Sequence, residues 1–96
     1  MAKIAFSPAA SADLADVYAL SAAQLGEDTA DSYHAGLQAA VEQLARFPQL
    51  GPVFPGIRPP VRYLACKRHH IVYDYNGDTV WIIRIIHHAR DVRQLT

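Results

Sequence analysis

The chain has one cysteine among 96 residues, and that scarcity removes a class of answer. Cys66 has no partner for an internal disulfide, which fits a reducing compartment rather than a secreted, cross-linked scaffold. Long hydrophobic runs are missing too. The stretch from Val80 to Ile83 is cut by Arg84, far below the roughly 20 apolar residues of a membrane span. The N-terminus has Lys3 but turns at Ser7 and Pro8, a pattern unlike a signal peptide. No glycine-rich phosphate loop, Cys-x-x-Cys pair or His-Glu-x-x-His helix occurs, so no cofactor is expected.

Net charge is also lacking, with nine basic residues against nine acidic ones. The balance hides a split. Residues 1–45 carry Lys3 against six carboxylates, a net of −5, and residues 46–96 carry eight cations against three carboxylates, a net of +5. The basic half is suited to nucleic acid or to an acidic protein segment; equally, the two halves neutralise each other across the fold. Apolar residues make up 51% of the chain, too many for disorder, and the length fits a single domain over residues 1–96.

What is present reads as β-α-α-β-β-β. Lys3–Phe6 is a short strand. Ser7-Pro8 then starts a helix, Ala9 to Leu25, with Ser7 as N-cap and Pro8 at the first helical position. Leu14, Val17, Tyr18, Ser21 and Leu25 form its apolar stripe, with Asp13 and Asp16 on the other side. Gly26 ends it, and a second helix runs from Asp28 or Thr29 to about Phe47, where Pro48 stops it. A proline-stiffened connector, Pro48 to Pro60, leads to strands at Val61–Lys67, His69–Tyr75 and Thr79–His88. Asn76-Gly77 predicts a two-residue type I′ hairpin pairing Tyr75 with Asp78, Tyr73 with Val80, Ile71 with Ile82 and His69 with Arg84. Trp81, Ile83 and Ile85 then face the helices, and Arg84 and His88 the open side. The fold class is α+β, an antiparallel helix hairpin packed on a small, mainly antiparallel sheet.

Three groups of residues bear on function. His69-His70 and His87-His88 resemble metal ligands, but the predicted register puts His87 about 10 Å from the residue opposite His69, and neighbours on a strand face opposite ways, so no metal site is expected. Arg62, Arg68, Arg84 and His88 could hold an RNA strand and cleave it, His88 as base or acid and an arginine on the phosphorane; the same residues also read as a solvated basic face. Cys66 reads as a small core residue. The helix hairpin, rich in alanine and carrying Tyr18 and Tyr33, could receive a partner segment or simply pack on its own sheet.

Several blocks together resemble the ParE/RelE superfamily of bacterial toxins, the ParE branch most closely. They are Phe6-Ser7-Pro8-Ala9-Ala10, Leu44 to Gly51 with its Phe-Pro-x-x-Gly ending, Gly56-Ile57-Arg58, Arg68 to Tyr73, and Ile83 to Asp91. The resemblance covers nearly the whole chain and implies a cytoplasmic toxin of a type II toxin–antitoxin pair. A ParE-like protein inhibits DNA gyrase without catalysis of its own and assembles with a ParD-like antitoxin. The residues this implies for target inhibition are Arg84, His88, Arg90 and Arg93. Tyr18, Tyr33, Leu37 and Val41 would contact the antitoxin if exposed. The alternative is a RelE-like, ribosome-dependent mRNA endoribonuclease using Arg62, Arg68, Arg84 and His88. Against it, Arg93 stands where such chains often carry tyrosine, and lysines are sparse, with Lys67 the one in the last three strands and the connector ahead of them. A further alternative is an inactive homologue that binds antitoxin and poisons nothing.

Overall fold

The structure, a computed structural model, describes residues 1–89. β1 (Lys3–Phe6) leads into α1 (Pro8–Leu25) through Ser7, whose hydroxyl caps the helix by accepting the Ala10 N–H at 2.9 Å. α2 (Glu27–Arg46) follows after one residue rather than the few expected. Gly26 donates its N–H to Ala22 at the end of α1, and its carbonyl accepts the Ala30 N–H of α2. It does so at φ 93° and ψ 161°, a backbone region essentially reserved for glycine. Gly26→Ala is therefore expected to destabilise the fold by about 1–3 kcal/mol in urea unfolding. The new methyl group would meet nothing within 4 Å, so the loss would report backbone strain alone.

β2 (Arg62–Cys66), β3 (His69–Tyr75) and β4 (Thr79–His87) are antiparallel neighbours, and β1 lies parallel to β4, giving the order β1-β4-β3-β2. Both helices cover one face. α2 buries Ala30, Leu37, Val41 and Leu44 on one helical stripe, and the last three pack with Ile71, Tyr73, Val80 and Ile82 of the sheet. The proline-rich connector is ordered across the opposite face, where Phe54, Ile57 and Val61 pack on Val72, Ile83 and Ile86.

The β3–β4 register differs from the expected one in two steps. Asn76 does not adopt the positive φ that a type I′ turn needs there; its side-chain oxygen instead accepts the N–H groups of Asp78 and Thr79 at 2.9 and 2.8 Å. Tyr75 thus pairs with Val80 and Tyr73 with Ile82. A β-bulge then leaves Ile83 without a partner, so Val72 faces Arg84, Ile71 faces Ile85, and His69 faces His87 instead of Arg84. Side chains of α1 secure the bulge: Ser7 donates its hydroxyl to the Ile83 carbonyl at 2.7 Å, and Asp13 accepts the Ile85 N–H at 3.0 Å.

The extra residue re-aims everything beyond it. Val80, Ile82 and Ile85 lie in the core under the helices. Of the expected trio only Ile85 belongs there; Trp81 is exposed, and Ile83 packs beneath the connector. Arg84, paired with Val72, reaches α1 with its side chain.

Candidate functional site

A groove of about 780 Å³ opens between the second half of α1, the start of α2 and the His69–His87 end of the sheet. Val17, Leu20 and Leu25 form its apolar wall, with Ile85 and Ile86 beside them. Leu20 and Leu25 remain 59% and 60% exposed, because α1 fully buries Ala10 alone. Of the apolar stripe read on this helix, Val17, Ser21 and Leu25 line the groove, while Leu14 and Tyr18 line a separate depression. The sequence signal of the groove wall is the run of alanines, too small to fill a core.

The other end of the groove is polar. Lys67 and Arg68 form the β2–β3 turn, with Lys67 at φ 55° and its ammonium 5.2 Å from the centre of the Tyr33 ring. The Tyr33 hydroxyl accepts the Arg68 N–H at 3.1 Å and is hydrogen-bonded to His69 Nδ1 at 2.6 Å. Burial, followed by repulsion from His87 and His88, lowers the His69 pKa from the ordinary imidazole value, with Asp13 acting in the opposite direction. His87 Nδ1 accepts the Ala89 N–H at 3.2 Å. The rings of His69 and His87 lie 5.7 Å apart and those of His87 and His88 4.3 Å apart. The separation argued from the predicted register therefore does not hold: the bulge and the longer turn bring these rings together. Among the described residues, no three His, Cys, Asp or Glu side chains converge as metal ligands.

Asp13 is not on the solvent side of α1. Its carboxylate accepts from Arg84 Nε at 2.7 Å and from the Arg84 terminal nitrogen at 3.0 Å, a bidentate pair that raises the arginine pKa further. Arg84 is accordingly pinned rather than open. Arg62 is committed as well, donating to the Gly51 carbonyl at 2.7 Å. It sits at the far end of β2 from the Lys67-Arg68 turn, about 13 Å away at the rise of a strand. Of the four residues considered for RNA cleavage, only Arg68 and His88 meet; both are exposed, and the His88 N–H donates to the Arg68 carbonyl at 2.8 Å. Arg90 and Arg93 lie outside the described residues.

The four residues considered for antitoxin contact also separate. Tyr33 lines the groove. Tyr18 lies in a different depression with His34 and donates its hydroxyl to Asp31 at 2.6 Å. Leu37 and Val41 are 1% and 4% exposed and belong to the core, so they fail the exposure on which their role depended. Burial raises the Cys66 thiol pKa, and its Sγ lies 3.7 Å from the Gly36 carbonyl oxygen, as suits a packing residue.

This architecture has a solved counterpart. A chain from the chromosomal ParDE TA system of P. aeruginosa superposes with a TM-score of 0.78 over 91% of this chain and 96% of that one, at 22% identity. The class is thereby set: a helix hairpin on a four-stranded mixed sheet, the fold of a ParDE system component. Residues 4–92 match the family described as ParE toxin of type II toxin-antitoxin system, parDE. Toxin ParE1 of Mycobacterium tuberculosis is 33% identical over 87 residues, spanning 90% of this chain and 89% of the relative. Toxin ParE1 of Caulobacter vibrioides is 33% identical over 84 residues, 88% and 86% of the two chains. The chain belongs to the ParE toxin family of type II toxin–antitoxin systems.

Proposed function

We propose that this toxin acts in the cytoplasm by inhibiting DNA gyrase and is neutralised by a ParD-like antitoxin seated in the groove along α1. The observation that carries the antitoxin reading is the groove itself, an apolar wall with exposed Leu20 and Leu25 that ends in cationic side chains. An amphipathic, acidic segment gains from both features. The gyrase reading is supported by membership of the ParE family and by the dispersal of the cleavage residues, two of which are tied up in structural contacts.

Purified toxin, DNA gyrase, relaxed plasmid and ATP test this directly. Lost supercoiling with linear, protein-linked DNA, reversed by antitoxin, is the expected result. The double variant Leu20→Glu/Leu25→Glu should still poison gyrase while binding antitoxin at least about 100-fold more weakly, since each buried leucine contributes roughly 2 kcal/mol. Normal supercoiling in the presence of folded toxin would overturn the gyrase assignment, and undiminished antitoxin binding would overturn the groove.

A further inference from the structure

The polar end of the groove presents donors and little that can accept. The Tyr33 hydroxyl already accepts the Arg68 N–H, and His69 Nδ1 is the acceptor within reach of its proton among the described residues, which assigns the Nδ1 lone pair to that bond; the Ala89 N–H is directed at His87 Nδ1. A neutral imidazole that accepts at Nδ1 carries its proton on Nε2. Both rings line the groove, and neither Nε2 has a hydrogen-bond partner among the described residues. The Lys67 ammonium and the Arg68 guanidinium stand beside them.

We propose that this end of the groove is a carboxylate pocket, in which an acidic group of the antitoxin accepts from Nε2 of His69 and His87 and is flanked by Lys67 and Arg68. The inference rests on the reading that the groove receives the antitoxin, and it names the chemistry that sets the segment's register there. An apolar occupant would bury these donors unpaired, losing their hydration with nothing in return. A metal cation would require both rings to exchange tautomers against their Nδ1 partners, and the His87 exchange would set two N–H groups face to face. Asp13 does not compete as an internal acceptor, because its oxygens hold Arg84 and the Ile85 N–H. Asp16 lines the α1 wall and keeps an incoming carboxylate towards the Lys67 end.

Proton uptake follows. The groups facing the two rings are Asp13 and Asp16 from α1, Tyr33 from α2, Lys67 and Arg68 from the turn, and His70 and His88 alongside. In the free toxin, burial and neighbouring imidazoles favour neutral His69. A bound carboxylate favours the imidazolium, so the pKa is higher in the complex than in the free toxin. Affinity is then greatest below the free-state pKa and falls as pH rises through the bound-state pKa.

The test is isothermal titration calorimetry of the toxin with the full-length antitoxin encoded beside it, at about pH 6 and about pH 8, in two buffers of different ionisation heat. Binding is expected to tighten roughly 10-fold at the lower pH with net proton uptake. His69→Asn, whose side-chain oxygen can take the place of Nδ1 beside the Tyr33 hydroxyl, should abolish most of that dependence, and His34→Gln in the other depression should leave it intact. A wild-type affinity independent of pH, or a folded His69→Asn toxin that keeps the full dependence, would overturn the carboxylate pocket while the groove stands. Antitoxin binding untouched by Leu20→Glu/Leu25→Glu would remove the groove and the pocket together.

Discussion

Gly51→Ala is expected to lower the stability of this toxin by about 3–5 kcal/mol, a large share of what a domain of this size possesses. The position does not need a left-handed backbone; it needs space. A Cβ there would overlap the Tyr63 carbonyl oxygen and stand 2.8 Å from its carbon and 3.0 Å from Tyr73 Cε1. The first two are main-chain atoms of β2, which cannot swing aside as a flexible side chain does. The same residue donates its N–H to the hydroxyl of fully buried Tyr73 at 2.9 Å, and its carbonyl receives Arg62. Any shift that admits the methyl group also loosens those bonds. Thermal unfolding should show a fall of at least about 12 °C. Tyr73→Phe, which removes only the hydroxyl, should cost about 1–2 kcal/mol and so separate the bond from the overlap.

Asp13→Ala is expected to cost about 2–4 kcal/mol. One carboxylate accepts two bonds from Arg84 and the N–H of Ile85, and its loss leaves a partly buried guanidinium and a strand N–H unpaired. Arg84 retains 24% side-chain exposure, so water recovers part of the loss. Urea midpoints for Asp13→Ala, Arg84→Met and the double variant check this. The double variant should be more stable than the sum of the singles requires, because it removes the orphaned charge. Additive losses would mean that the pair contributes nothing beyond its separate contacts.

The hairpin of helices was legible because its punctuation is local. Ser7-Pro8 caps a helix within four residues, Gly26 breaks it, and Pro48 ends the next. The strand positions were legible to within a residue at their ends. Register was not, because it depends on partners far along the chain: Asn76 folds its side chain back onto the turn, and the bulge at Ile83 is held by Ser7 and Asp13. That three-residue displacement decides the site. It sends Arg84 to Asp13 and sets His87 beside His69. The charge split is resolved only in part by the fold. Asp13–Arg84 and Lys3–Asp78 join the two halves, while Lys67, Arg68 and His88 stay exposed at the groove end. The groove wall was hidden for another reason: periodicity shows that Val17 and Leu25 share a helical face, but not whether anything covers it.

The pairing of β1 with β4 also sets the order of assembly. Lys3 and Thr79 are neighbours in the sheet, yet a ribosome adds the second 76 residues (79 − 3) after the first. Until residues 79–87 exist, β1 has no sheet partner, and α1 has neither Arg84 nor the Ile83 carbonyl to hold it in place. Closing so long a stretch of chain is slow, and it comes after the helices have formed. Toxicity should therefore arrive as a single step with the last strand rather than grow with chain length. A synthesis that stops before residue 79 should leave β1 without a partner and α1 without its anchors.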